Sequence, residues 1–168
     1  MLWKSVVCAV HNSIVHNVLL WHMPDTAIRP LEEQICFALY SASRSITGRY
    51  RELLAPLGVT YPQYLVLLVL WETGTSTVRE LGDRLELDSG TLSPLLKRLQ
   101  ALGLVTRTRS TLDERVVEIS LTPAASEMRH EAPRIAEQIC ASTGFALDDL
   151  ARLQGQIATL ATQVREVT

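Results

Sequence analysis

The side chains of this sequence that could carry covalent chemistry are its three cysteines, Cys8, Cys36 and Cys140. A cysteine thiolate attacks the O–O bond of a peroxide, and the sulfenic acid that forms can condense with a second thiol. Cys36 has the apolar neighbours Ile35 and Phe37, which would favour organic peroxides over hydrogen peroxide. Because no His or Lys lies near Cys36 in sequence, phenolic donors or a helix N-terminus would have to stabilise the thiolate.

All four tyrosines, Tyr40, Tyr50, Tyr61 and Tyr64, lie between positions 40 and 64. Their clustering is consistent with a dedicated pocket that supplies phenolic hydrogen-bond donors. The alternative is that they are core aromatics with satisfied hydroxyls, which is the preferred interpretation for Tyr64. A cysteine on an apolar helix face is likewise often a small buried hydrophobe, so both interpretations of Cys36 stay open at this point.

Composition limits the classes of protein that this chain can be. Its 168 residues are enough for one domain with a buried core, and a net charge of -2 gives no global affinity for nucleic acid, so a DNA-binding surface would have to be local. The odd number of widely spaced cysteines argues against a disulfide-stapled secreted fold, and there is no CxxC motif or Cys/His pair at ligand spacing. We therefore expect a cytoplasmic protein without metal or cofactor.

Residues 1–22 differ from the rest of the chain. They are fairly apolar, but polar residues interrupt them, so they lack the pattern of a membrane span or of a signal peptide. Met23 then opens a segment typical of a cytosolic N-terminus. We interpret Met23 as the natural start of a single domain, 23–168, that has no membrane partner; a genuine N-terminal extension helix is the alternative.

Apolar periodicity and turn residues predict the elements that position these side chains. Helices are expected over 31–54, 61–73 and 77–85, the second capped by Thr60 with Pro62 in its first turn. A break at 87–90 precedes another helix over 91–102, and two short helices joined by such a turn are typical of a helix-turn-helix. Strands over 104–109 and 115–121 then form a β-hairpin, the wing.

The C-terminal third is predicted to be helical. One long helix is expected from Pro123 to about Thr143, followed by a last helix with an apolar stripe. The stripe consists of Leu147, Leu150, Leu153, Ile157, Leu160 and Val164. It suits either packing within one subunit or a dimer interface; dimerisation is favoured because the small winged core cannot easily cover both this helix and the long first helix. The predicted fold is mainly α with a small β-hairpin, a winged helix-turn-helix with N- and C-terminal dimerisation helices.

A local basic surface follows the helix-turn-helix. Between positions 97 and 115 the sequence contains five basic residues and two acidic ones, in a chain that is acidic overall. They are Lys97, Arg98, Arg107, Arg109 and Arg115, against Asp113 and Glu114. Such side chains would neutralise DNA phosphates, although an ordinary solvated face is the alternative. At the wing tip, Arg115 could enter the minor groove with an acidic neighbour to orient it.

Small polar residues occupy the predicted start of the second helix of the helix-turn-helix. They are Asp88, Ser89, Gly90, Thr91 and Ser93. They would allow close approach to the major groove and hydrogen bonds to bases or phosphates, although capping alone could explain Asp88 or Ser89. Because proline suits a first turn, Pro94 suggests that this helix begins nearer Ser93.

The stretch 78–121, especially LGDRLELDSGTLSPLLKRLQALGLVTRTRSTLDERVVEISLT, resembles the winged-helix core of the MarR-type regulators. The resemblance implies a homodimer that binds double-stranded operator DNA. It also implies that 61–121 is the DNA-binding core and that 31–57 and 123–166 are mainly dimerisation helices.

Two upstream segments, QICFALYS at 34–41 and VTYPQY at 59–64, resemble the organic-hydroperoxide-responsive (OhrR-type) branch of that family. The resemblance implies that Cys36 is the peroxide-reactive group and an organic hydroperoxide the inducer. It implies that Tyr50 and Tyr61 match the partner-subunit tyrosines that hydrogen-bond the cysteine, and that Tyr40 lies in the same pocket, which we extend to Phe37. Cys140 matches the resolving thiol of the two-cysteine members, whose intersubunit disulfide would rotate the winged domains.

Two other functions are compatible with parts of this pattern. A MarR-type regulator could instead release DNA on binding a small phenolic or lipophilic ligand in the same pocket, without using the thiol. A thiol peroxidase is disfavoured because no thioredoxin-like βαβ pattern is present and such an enzyme has no use for a basic winged helix. We therefore predict a repressor and not an enzyme.

Overall fold

The computed structural model describes residues 28–110, 113 and 115–166, and the chain divides into two units, 1–42 and 43–168. The predictions for residues 1–22, including Cys8 and a start at Met23, and for Glu114 lie outside the described residues. In the first unit a 3-10 turn, Leu31–Glu33, precedes helix α1, Ile35–Leu54, within which the boundary between the units falls.

Helix α2, Tyr61–Thr73, is the central element of the core of the second unit. As predicted, it begins after Thr60 with Pro62 in the first turn, and the Gln63 side-chain oxygen accepts the Thr60 N–H at 2.8 Å. Its side chains are buried nearly all round, which explains why its sequence lacks a polar stripe. Among the described residues no single helix could span a membrane by length and apolarity; segments 35–57 and 61–73 meet that test only together, at a bend of 71°.

The helix-turn-helix consists of α3, Val78–Leu85, and α4, Ser89–Ala101. Thr77 begins α3 with a capping box, because its hydroxyl accepts the Glu80 N–H while the Glu80 carboxylate accepts the Thr77 N–H. The turn between the helices is tight: Leu87 N–H donates to the Gly82 carbonyl at 3.0 Å, and a Cβ on Gly82 would stand 3.0 Å from the Leu87 carbonyl oxygen. A residue with a side chain at position 82 would therefore press against the turn.

Helix α4 begins at Ser89, so the prediction of a start nearer Ser93 is wrong. The Asp88 carboxylate accepts the Thr91 N–H at 2.9 Å, and this cap sets the first turn upstream of the proline. Pro94 lies inside the helix, where it cannot donate to the carbonyl four residues earlier. The strong N-cap therefore outweighs the preference of proline for a first turn.

The wing sheet has three antiparallel strands in the order β1-β3-β2, formed by β1, Thr75–Thr77, β2, Val105–Arg109, and β3, Val117–Leu121. The hairpin β2–β3 confirms the predicted wing. Strand β1 was not predicted, because its three residues pair with β3 more than forty positions away and carry no local strand pattern. Ile119 in the middle of β3 is fully buried and joins the sheet to the helical core.

The long helix predicted from Pro123 to Thr143 is interrupted. Helix α5, Pro123–Glu127, passes into a 3-10 turn, Met128–Glu131, before helix α6, Ala132–Thr143. Pro133 explains the break, because it has no N–H to continue the α-helical hydrogen bonds and its ring crowds the preceding turn. The prediction of one unbroken helix is therefore wrong.

The last helix, α7, Leu147–Glu166, carries the predicted apolar stripe but buries none of its side chains in the single chain. Leu147 is 73% exposed, Ile157 42% and Val164 61%. Packing within one subunit therefore does not account for this stripe. The N-terminal unit adds Leu31 and Ile35 to the half-exposed apolar side chains.

One buried hydrogen bond joins α2 to α5, since the Trp71 indole Nε1 donates to the Ala125 carbonyl at 2.8 Å. We expect Trp71→Phe to lower the free energy of unfolding by about 1–3 kcal/mol, because the buried carbonyl loses its partner while most of the ring packing remains. Urea unfolding followed by circular dichroism, at one protein concentration for both proteins, measures the difference. An unchanged midpoint and slope would show that this bond contributes nothing to stability.

Candidate sensor and nucleic-acid interface

The tyrosines of the second unit form an aromatic cluster. The ring centroids of Tyr50 and Tyr61 are 4.3 Å apart, those of Tyr50 and Tyr64 are 6.0 Å apart, and Tyr64 meets Trp71 edge-on at 5.8 Å. Tyr64 is only 2% exposed, which confirms its interpretation as a core aromatic. Tyr50 and Tyr61 are half-buried, so their rings pack on the core while part of each side chain reaches the surface.

Burial controls the protonation of these phenols. It is the largest cause that raises the pKa of Tyr50 to about 12, followed by the neighbouring Tyr61, Tyr64 and Cys140. Burial also raises the pKa of Tyr61 above its ordinary value. At neutral pH both hydroxyls are therefore protonated and available as hydrogen-bond donors. Cys140, on α6, is a half-buried free thiol.

In the first unit, Cys36 lies on the first turn of α1 and is exposed as a free thiol. Phe37 is half-buried and Tyr40, one turn further on, is 56% exposed. The apolar surroundings expected for Cys36 are thus open to solvent in the single chain, with Ile35 itself 52% exposed.

A cleft of about 470 Å³ opens beside Tyr61. Thr47 and Arg51 of α1 line one side, and the segment from Gly58 to Pro62 lines the other. Arg51 makes no ion pair with any residue that the structure describes, so its guanidinium is available to a bound anion. The cleft thus combines a phenol, a threonine hydroxyl and a cation.

At the start of α4, the small polar residues combine a helix cap with an exposed surface. Both carboxylate oxygens of Asp88 are engaged by Thr91, one by the N–H and the other by the hydroxyl at 2.8 Å, and these bonds hold the pKa of Asp88 below its ordinary value. A Cβ on Gly90 would stand 2.9 Å from Asp88 Oδ1, so a larger residue there would have to displace the capping carboxylate. Ser89 and Thr91 are exposed, whereas Ser93 is half-buried.

The predicted basic surface differs from the rest of the described chain in its lack of ion pairs. Six arginines elsewhere in the described chain form ion pairs with Asp or Glu, namely Arg49, Arg79, Arg84, Arg134, Arg152 and Arg165. None of the predicted DNA-binding cations, Lys97, Arg98, Arg107, Arg109 and Arg115, has an acidic partner among the described residues. An ordinary solvated face would be expected to mix paired and unpaired charges.

The wing tip is ordered in part by Asp113, whose carboxylate accepts the Arg115 N–H at 2.9 Å. Asp113 therefore contacts the backbone of Arg115, whereas we predicted that an acidic side chain would orient the Arg115 guanidinium. Arg115 is exposed and Arg107, on β2, is half-buried.

A second cleft, of about 700 Å³, lies between the helix-turn-helix and the wing, and it adds a residue that was not predicted. Arg79 of α3 lines it together with Arg107 and Arg115. Arg79 precedes Glu80 and lies well outside the basic run at 97–115, so no local pattern marks it.

The amino-acid sequence of this chain is similar to those of known transcriptional regulators. A family model for the transcriptional regulators SarA/Rot matches residues 50–132. The organic hydroperoxide resistance transcriptional regulator of Bacillus subtilis is 48% identical over 130 residues, which cover 77% of this chain and 88% of that protein. This chain belongs to the MarR family of transcriptional regulators. The Bacillus relative also confirms the predicted resemblance of this MarR-family protein to the organic-hydroperoxide branch.

Solved structures confirm the predicted winged helix-turn-helix fold. Reduced AbfR bound to DNA, a protein of Staphylococcus epidermidis, is 34% identical with a TM-score of 0.67, over 80% of this chain and 94% of that one. AbfR has also been solved in a disulfide form. BpsR of Bordetella bronchiseptica, whose DNA binding 6-hydroxynicotinic acid regulates, has a TM-score of 0.73 over 80% of this chain and 98% of its own. At 22% identity it supports the fold alone.

The raised pKa of Tyr50 can be tested in this MarR-family protein by alkaline titration of phenolate absorbance. We expect a last ionisation step near pH 12 in the wild type that Tyr50→Phe lacks. Because the folded-state pKa lies above the unfolded value of 10.0, the contribution of Tyr50 to stability is complete below pH 10.0 and is lost as the pH rises towards 12. The urea-unfolded protein is the control, and a late step that survives in the variant would contradict the assignment.

Proposed function

We propose that this protein is a dimeric DNA-binding repressor that senses organic hydroperoxides through Cys36 and then releases its operator. The observation that carries the proposal is the pair of protonated phenols, Tyr50 and Tyr61, whose rings pack together. These are the groups that the resemblance to the hydroperoxide-responsive branch implies for the sensor, and they occur in one cluster.

The proposed chemistry begins at the Cys36 thiolate. It attacks one oxygen of the hydroperoxide, the O–O bond breaks, and the other oxygen leaves as an alcohol after taking up a proton. Cys36 keeps the transferred oxygen as a sulfenic acid. Donation from the phenols of Tyr50 and Tyr61 in the partner subunit would stabilise first the thiolate and then the developing negative charge on oxygen.

In the second step, the Cys140 thiol of the partner attacks the sulfenic sulfur of Cys36, forming an intersubunit disulfide and releasing water. A small cellular thiol could take the same place and give a mixed disulfide. The first route is supported by the match of Cys140 to the resolving thiol of the two-cysteine members, and AbfR has been solved in a disulfide form.

Operator binding would use the two halves of the winged helix. The exposed N-terminal residues of α4 would contact base edges in the major groove, with Lys97 and Arg98 on the backbone. The wing would place Arg115 at the adjacent minor groove. Drawing Cys36 and Cys140 together would rotate the two winged domains and spoil the spacing of the half-sites. AbfR, solved reduced on DNA and in a disulfide form, offers a precedent for both states.

The exposed stripe of α7 supports a homodimer, since a second copy would cover its apolar side chains. We expect Ile157→Glu to weaken the dimer by about a hundredfold or more, because an unpaired carboxylate in an interface costs about 3 kcal/mol or more. Light scattering over a dilution series measures the dissociation. Thr159→Glu, on the opposite face of α7, is the matched control, and equal effects of the two variants would contradict this interface.

The sensor is tested by titrating the reduced protein on its own upstream DNA with an organic hydroperoxide, then adding a thiol reductant. We expect the wild type to release DNA reversibly and Cys36→Ser to stay bound, because it lacks the nucleophile. Cys140→Ser should form no disulfide-linked dimer and stay bound at stoichiometric peroxide.

Cys8→Ser, at the third cysteine, is the control and should respond like the wild type. Release of Cys36→Ser at the same peroxide concentration as the wild type would sink the peroxide-sensor proposal. Release of Cys140→Ser with a bound small thiol would instead establish the mixed-disulfide route.

A second candidate function is favoured by the cleft beside Tyr61. Its Arg51, which has no ion-pair partner among the described residues, and its phenol and hydroxyl groups suit a small aromatic acid. A regulator of that kind would need no thiol. It would be indicated if Cys36→Ser released DNA on addition of an aromatic hydroxy acid while no variant responded to hydroperoxide.

A further inference from the structure

The cleft between the helix-turn-helix and the wing is lined by three arginines from three separate parts of the chain. Arg79 comes from α3, Arg107 from β2, and Arg115 from the residues before β3. The N-terminal residue of α4, Ser89, also lines the cleft, and its apolar lining includes Leu92. The chain thus brings positive charge together at one concave position on the DNA-binding side.

Duplex geometry indicates that the sugar-phosphate backbone of the DNA would lie at this cleft. If α4 lies in the major groove and the wing tip in the adjacent minor groove, the sugar-phosphate strand that separates the two grooves must cross between them. The cleft is the space between those two elements. We propose that it holds a backbone phosphate of the operator and that Arg79 of α3 contacts that phosphate, in an inference that rests on the proposed DNA-binding function.

Arg79 is suited to this contact because its partner in the free protein holds it weakly. Arg79 Nε lies 3.9 Å from the Asp83 carboxylate, and the two side chains are 91% and 74% exposed. A long, exposed ion pair of this kind contributes little and is easily exchanged for a phosphate. On the same helix, Arg84 Nη2 lies 2.6 Å from the Glu72 carboxylate and does not line the cleft.

Asp83 also lines the cleft, so it has two effects on a phosphate there. It competes for Arg79, and its own charge repels the ligand. Removing the charge of Asp83 should therefore tighten DNA binding, the reverse of the effect of removing Arg79. Opposite effects of two adjacent side chains are not expected if the helix merely tolerates both at its surface.

The test measures binding of reduced, full-length protein to its upstream operator duplex and to a scrambled duplex by fluorescence anisotropy at several KCl concentrations. We expect Arg79→Gln to weaken binding to both duplexes by the same factor, and to reduce the slope of log K against log salt by about 0.9 for each phosphate that is no longer neutralised. Each dimer has two such clefts, so the slope should fall by about twice that amount. Arg79→Lys should restore most of the slope, and Asp83→Asn should tighten binding to both duplexes.

Arg84→Gln is the matched control and should leave the salt slope unchanged, while thermal melts monitored by circular dichroism verify the fold of each variant. The inference is overturned if Arg79→Gln and Arg84→Gln have equal slopes, if Arg79→Gln weakens only the operator complex, or if Asp83→Asn weakens binding. If the wild type binds neither duplex, the proposed DNA-binding function itself fails. Hydroperoxide is absent throughout, so the outcome is independent of the sensor.

Discussion

The burial of α2 on nearly all sides is the constraint on which the second unit depends. Its first turn supplies Tyr61 and Tyr64 to the aromatic cluster, and its last turn supplies Trp71, which is bonded to the Ala125 carbonyl. Between these ends, Leu67 and Leu70 are fully buried within the core that includes the helix-turn-helix. The same helix therefore contributes to the aromatic cluster and contacts both helices of the helix-turn-helix.

The distribution of charged pairs separates the structural arginines from those available to a ligand. Most arginines outside α4 and the wing lie within 4 Å of a carboxylate on a neighbouring turn or element. The arginines of α4 and the wing have no acidic partner in the described chain. The net charge of -2 conceals this distribution, since it averages over pairs that cancel locally. Free cations on one surface can neutralise phosphates and release their counterions without first breaking an internal ion pair.

The proposed sensor also has a simple electrostatic basis. Phenols whose pKa is raised by burial stay protonated over the whole physiological range, so they can donate hydrogen bonds to a thiolate without a charged neighbour. An unpaired lysine or histidine at this place would bring a buried charge into an apolar site. Tyrosine thus supplies donors at a lower cost of burial, and its ring adds packing area to the core.

Local signals along the chain are enough to predict most helices, the wing hairpin and the cap at Thr60, because hydrophobic period and capping act over a few residues. The same signals carry the family resemblance. The start of α4 that we predicted from Pro94 was wrong, because the preference of proline for a first turn is weaker than the Asp88 cap. The pairing of β1 with β3, the stacking of Tyr50 on Tyr61, and the position of Arg79 in the wing cleft became visible only in the folded chain. Each of these brings together residues of separate elements, and contacts between elements are set by packing, which no local pattern encodes.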